Sequence, residues 1–118
     1  MRRATATQRP DLSRMAEMHE HAAEAAQLMK ALGNEQRLLV LCNLLEGPLS
    51  VGELNSRVEL SQSALSQHLA RMRDLRLVET RRAGQTIFYR LASAEVAAIL
   101  ETLYRLYCAP TGSIAEAA

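Results

Sequence analysis

Residues 50–91 read SVGELNSRVELSQSALSQHLARMRDLRLVETRRAGQTIFYRL, and their order predicts a helix, a tight turn, a second helix and a β-hairpin. Ser50 and Glu53 have the spacing of a capping box, in which the hydroxyl and the carboxylate each accept from the other residue's backbone N–H. A short helix therefore starts here, with Val51, Leu54 and Val58 on one face and Glu53, Asn55, Ser56 and Arg57 in water. Glu59 and Leu60 form the turn. Ser61 caps the next helix, where Leu65, Leu69 and Met72 point inward while Gln62, Ser63, Ser66, Gln67 and Arg71 stay outside. Amides and hydroxyls at the start of a helix suit base edges and phosphates in a major groove. Taken alone, the same segment also fits an ordinary capped surface helix.

The hairpin favours the nucleic-acid reading. Leu77–Arg81 and Thr86–Leu91 are rich in β-branched and aromatic residues, and Arg82-Ala83-Gly84-Gln85 between them forms the turn. Arg81, Arg82 and Gln85 sit at its tip and Arg90 near its base. Residues 61–90 hold six arginines against two acids, a net +4, whereas the whole chain is +1, so the remainder carries −3. Positive charge is concentrated where phosphate contact needs it. The pattern is that of a winged helix-turn-helix.

The flanks supply three further helices. Ser13 or Asp11 caps a first helix with Met15, Met18, Ala22, Ala25, Met29 and Leu32 at helical spacing, ended by Gly33. Its narrow Ala/Met stripe suits helix–helix packing. Asn34 caps a second helix, Glu35 to Glu46, apolar nearly all round and expected at the domain centre, with Gly47-Pro48 stopping it. Ser93 caps the last helix, whose stripe of Val96, Ile99, Leu100, Leu103, Tyr104, Leu106 and Tyr107 ends at Cys108. A chain of 118 residues, 48% of them hydrophobic, forms one domain with a modest core. It cannot bury that stripe together with the first helix, so dimerisation is expected. Residues 1–12 and 109–118 are expected to be a disordered N-terminal segment and a flexible tail around a folded 13–108.

These residues resemble the ArsR/SmtB family of small dimeric bacterial repressors over roughly residues 15–108, and within it the BigR/SqrR/HlyU branch of reactive-sulfur and redox sensors. The resemblance implies a mostly α (α+β) fold: five helices, a two-stranded β-hairpin wing, and a homodimer through the first and last helices. It implies an inverted-repeat DNA operator as partner, contacted by Ser61, Gln62, Ser63, Ser66, Gln67, His68 and Arg71 of the recognition helix and by Arg81, Arg82 and Gln85 of the wing. It also implies that Cys42 and Cys108 are joined within one subunit by persulfide, polysulfide or oxidant, with loss of operator affinity. From the residues alone Cys42 reads as a small core hydrophobe with an inert thiol, and only the resemblance reverses that reading. Cys108 lies at a helix C-terminus that disfavours a thiolate, with Arg105 nearby to offset it.

Other chemistries fit less well. Metal sensing is the alternative within the family, and a constitutive DNA-binding anti-silencer is another. The Cys-x-Cys that some relatives carry at the first helix-turn-helix helix is replaced by Val51-Gly52-Glu53, and Ser93–Cys108 contains no His. His19 and His21 lie about 200° apart on an ideal helix. Glu17, His21 and Glu24 share a face, where a surface pair is the plainer reading, and His68 reads as a packing or phosphate-contacting residue. Neither metal nor cofactor is therefore expected. No nucleophile with its base, carboxylate pair or phosphate-binding Gly loop points to an enzyme. A pure protein-interaction module would leave the arginines of 71–90 unexplained. With no apolar run of about 20 residues and no secretory h-region, a cytoplasmic location and reduced thiols are expected, with no membrane partner.

Overall fold

Four helices of this protein begin where a polar side chain accepts from a free backbone N–H of the first turn, three residues on. The computed structural model describes residues 12–108. Its elements are α1 (Leu12–Leu32), α2 (Glu35–Asn43), β1 (Leu49–Ser50), α3 (Val51–Asn55), α4 (Gln62–Asp74), β2 (Val78–Ala83), β3 (Thr86–Leu91) and α5 (Ala94–Tyr107). Asn34 Oδ1 accepts from the Arg37 amide at 2.9 Å, and Ser61 and Ser93 accept from Ala64 and Val96 at 3.1 Å each. At Ser50 both halves of the predicted capping box form: the Glu53 amide donates to Ser50 Oγ at 3.1 Å and the Ser50 amide to Glu53 Oε1 at 2.9 Å. Such caps each contribute about 1 kcal/mol. The Asp11 alternative for capping α1 lies outside the described residues.

The chain divides into two units, one reaching Ala31 and one from Leu32 onward. The described residues of the first belong to a single helix, α1, with Leu12, Met15, Met18 and Met29 exposed. The second holds a core in which Leu41, Leu54, Leu65, Leu69, Met72 and Leu100 are almost completely buried. The inward stripe expected for α4 is thus the observed one. Among the described residues no polar or charged side chain is buried, so the core carries no desolvated polar group.

One boundary and two burial expectations differ from the sequence reading. The second helix stops at Asn43, not Glu46: residues beyond it close tighter turns, Leu45 N–H to Cys42 O at 3.2 Å and Gly47 N–H to Leu44 O at 3.2 Å. Nor is it buried all round, since Leu39 is 46% exposed and Leu38, Cys42 and Leu45 are half-buried. The helix buries only the side carrying Val40, Leu41 and Leu44. Asn55, expected in water, is half-buried and donates through Nδ2 to Leu60 O at 2.8 Å, bracing the turn that leads to α4.

The wing is longer and the sheet larger than expected. β2 and β3 pair in register from Val78↔Leu91 to Ala83↔Thr86, leaving only Gly84 and Gln85 as the loop. Gly84 has φ 67° and Gln85 is not in the positive-φ region, the pattern of a type II′ turn. A third strand, β1, pairs with β3 through Leu49↔Tyr89 and Ser50↔Phe88, giving the order β1-β3-β2.

Between α4 and β2 the chain turns through a Schellman motif. Arg76 N–H donates to Arg73 O at 2.9 Å and Leu77 N–H to Met72 O at 2.8 Å. The residue in the left-handed conformation is Arg76, φ 62°, where glycine is usual. A side chain there costs about 1–2 kcal/mol. Arg76→Gly is therefore expected to stabilise the fold by about 1 kcal/mol, after glycine's greater backbone entropy loss is subtracted. Urea unfolding at fixed protein concentration measures it, and a lower midpoint would show that the arginine makes a compensating contact.

Candidate nucleic-acid interface and thiol pair

α4 presents a polar face because its three core residues occupy one arc of the helix. Gln62, Ser63, Ser66, Gln67 and Arg71 are all exposed, and on an ideal helix they fall within about half the circumference opposite that arc. Ser61 is also exposed, its hydroxyl occupied by the Ala64 amide. His68 is half-buried at the flank of this face. α4 carries its free N–H groups and its amide side chains at the same end, the end that enters a major groove in helix-turn-helix docking.

The wing adds positive charge, unequally. Arg81, Arg82 and Gln85 are exposed. Arg81 and Arg82 are consecutive on β2, opposite Phe88 and Ile87, so their side chains leave the strand on opposite faces. Arg82 shares the face of buried Val78, Arg81 that of Glu79. Arg90 is engaged by Glu79, its cross-strand neighbour, with Nε and a terminal guanidinium nitrogen each 2.6 Å from Oε2. The pair is half-exposed and contributes little to stability, but it withdraws Arg90 from the basic surface. Among the wing arginines, Arg81 and Arg82 are free of ion pairs.

Cys42 is half-buried and Cys108 is exposed, both as free thiols. Burial pushes the Cys42 thiol above its ordinary pKa, and the charge of Cys108 pushes it further. Cys42 also lines an open cleft of about 530 Å³ with Asn43, Leu45, Glu46, Arg57, Glu101, Tyr104 and Arg105. The sequence reading left Arg57 on a wet helix face, with no link to Cys42.

A raised pKa has two consequences. The folded protein holds the Cys42 proton more tightly than the unfolded chain does, so this contribution to stability is present below the ordinary thiol pKa. It is lost as pH rises through the folded pKa. Reactivity follows the thiolate. Neutral iodoacetamide at pH 7 is expected to alkylate exposed Cys108 several-fold faster than Cys42, with the gap narrowing at alkaline pH as Cys42 too becomes a thiolate. Peptide mass spectrometry of timed samples checks this, and faster labelling of Cys42 at pH 7 would contradict it.

The first unit offers little for metal binding. His21 Nδ1 lies 3.3 Å from Glu24 Oε1, an exposed i,i+3 pair. Among the described residues no group of three His, Cys, Asp or Glu is placed to hold a metal ion.

The geometry of α3, α4 and the wing has counterparts of known class. The profile described as "Bacterial regulatory protein, arsR family" matches residues 34–80. The chain is 60% identical over 92 residues to the transcriptional activator HlyU of Vibrio cholerae, covering 78% of this chain and 85% of that protein. The chain belongs to the ArsR family. Over 101 residues it is 43% identical to the biofilm growth-associated repressor of Xylella fastidiosa, covering 86% of this chain and 88% of that one. The structure of reduced HlyU from Vibrio cholerae superposes with a TM-score of 0.73 at 60% identity, over 78% of this chain and 97% of that chain. As an ArsR-family protein it is a DNA-binding transcriptional regulator with a winged helix-turn-helix, in a family of regulators rather than enzymes. No helix among its described residues is long and apolar enough to cross a membrane.

Proposed function

We propose that this ArsR-family regulator is a homodimeric repressor that grips an inverted-repeat operator in its reduced form and releases it when Cys42 and Cys108 are joined. The observation that carries the reading is that Cys42 shares its cleft with Tyr104 and Arg105, in the last turn of the helix that ends at Cys108, although the two cysteines are separated by the whole DNA-binding segment. A relative solved in a reduced form supports thiol state as a variable in this group. Within each subunit α4 supplies base contacts through Gln62, Ser63, Ser66 and Gln67. Arg71, Arg81 and Arg82 supply phosphate contacts, with Ser61, His68 and Gln85 at the margins.

The chemistry needs only a reactive sulfur donor. One cysteine thiolate attacks the terminal sulfur of a persulfide R–S–SH, forming Cys–S–SH and releasing RS⁻. The other thiolate attacks the inner sulfur, forming the disulfide and releasing HS⁻. Two thiolates are oxidised to one disulfide while the persulfide is reduced to a thiolate and hydrosulfide. Polysulfide leaves additional sulfur atoms in the bridge by the same displacement. Because α5 ends at Cys108, linkage draws its last turn against α2 and biases the dimer toward a spacing unsuited to the operator.

The test uses a duplex selected by the reduced protein from a random pool. Polysulfide treatment is expected to weaken binding about tenfold or more, a coupling of ~1.4 kcal/mol, and dithiothreitol to restore it. Cys42→Ser and Cys108→Ser are expected to bind this duplex and to remain bound after treatment. Mass spectrometry showing both cysteines free after treatment, or release persisting in Cys108→Ser, would refute the switch.

A further inference from the structure

The cleft beside Cys42 contains more charge than a structural groove needs. Arg57, Glu46, Glu101 and Arg105 are exposed on its walls, and none has an ion pair among the described residues. Arg105 donates to Thr102 Oγ1 at 3.2 Å. Arg57 comes from the turn after α3, Arg105 from α5, and the thiol from α2. Three elements thus bring two cations, two carboxylates and one sulfur to a single hollow, with Leu45 and Tyr104 supplying apolar wall. Its volume of about 530 Å³ falls within the range of small-molecule sites, roughly 300–1,000 Å³.

Two cations and two anions around a thiol complement a zwitterion. Resting on the dithiol reading above, we infer that this cleft docks the persulfides of amino-acid-derived thiols, Arg57 and Arg105 holding carboxylate and Glu46 or Glu101 the ammonium group, with the terminal sulfur directed at Cys42. The guanidinium fork matches a carboxylate in shape as well as charge. Docking raises the local concentration of the donor at a thiol that is otherwise slow, and gives order to the reaction. Cys42 thiolate attacks the terminal sulfur of the docked R–S–SH and the carrier leaves as RS⁻. Cys108 thiolate then attacks the inner sulfur of Cys42–S–SH, closing the disulfide and expelling HS⁻. A neutral reagent, which the cleft does not hold, meets exposed Cys108 first.

The experiment compares cysteine persulfide, which has the zwitterionic head group, with inorganic tetrasulfide, which lacks it. The full-length reduced protein and Cys108→Ser, which isolates the first step, are quenched at intervals and Cys42 modification is followed by mass spectrometry. Modification by cysteine persulfide is expected to saturate with donor concentration, while that by tetrasulfide rises linearly. The rate ratio of the two donors is expected to fall about tenfold in Arg57→Gln and in Arg105→Gln, and to recover in part in the corresponding Lys variants. A general structural role for either arginine would slow both donors and leave the ratio intact. An unchanged ratio with disulfide still formed would overturn the docking site and leave the dithiol switch standing. Failure of both donors to link the cysteines in the unmodified protein would sink the switch itself, and the docking site with it.

Discussion

Leu106→Asp is expected to give a folded monomer whose operator affinity is lower by about 10²–10⁴-fold, the loss that follows when the second half-site is no longer tethered to the first. The outer face of α5 carries Leu106 at 69% and Tyr107 at 82% exposure, with Tyr104 beside them, whereas Val96 and Leu100 fill the core of the same subunit. An aspartate at position 106 therefore leaves the subunit's packing alone. In the proposed dimer it places a carboxylate in the interface, where burial without a partner costs several kcal/mol. Leu103, half-buried, would confound assembly with folding. α1 presents a comparable set in Leu12, Met15, Met18 and Met29, and Met18→Asp is expected to act in the same direction. Light scattering at micromolar concentration gives the mass and circular dichroism the helix content. A dimer that persists in Leu106→Asp with full affinity would remove α5 from the interface.

What could be read in the sequence was local. Ser50, Ser61, Ser93 and Asn34 announce their helices because a cap acts over three residues, and Leu65, Leu69 and Met72 declare the inner face of α4 through their spacing alone. What escaped depends on distant partners. β1 is two residues long and is a strand only because Leu49 and Ser50 meet Tyr89 and Phe88. Arg76 adopts a conformation whose usual signal is a glycine, and no glycine stands there. The stripe of α5 was visible as one apolar band, yet its division into a core edge and an exposed edge depends on what α5 packs against. The engagement of Arg90 by Glu79 required the register of the hairpin, and the expected turn at Arg82–Gln85 concealed it. The cleft that Cys42 shares with the last turn of α5 was not in the spacing at all. Only the family resemblance pointed to Cys42 and Cys108 as a pair, Arg105 was marked only as a neighbour of Cys108, and Arg57 had no local mark of any kind.

Recognition helix and wing are expected to fail in different ways when altered. Gln62→Ala and Gln67→Ala remove side chains that can make paired hydrogen bonds to a base, so each is expected to weaken binding to the selected duplex by about 1–3 kcal/mol while binding to random duplex changes little. Arg81→Ala and Arg82→Ala act on charge. Loss of one phosphate contact lowers the slope of log affinity against log salt by about 0.9 and weakens specific and random duplexes alike. The hairpin separates the two arginines to opposite faces, so their effects are expected to differ, the larger identifying the face turned to the duplex. Arg90→Ala is the internal comparison, because a guanidinium already held by Glu79 has little left to give a phosphate. Titrations by fluorescence anisotropy at several salt concentrations separate these outcomes. Equal slopes for Arg81→Ala, Arg82→Ala and the unmodified protein would place the wing away from DNA. A full unit of slope lost in Arg90→Ala would mean that the Glu79 pair opens on binding and that the basic surface extends to the base of the hairpin.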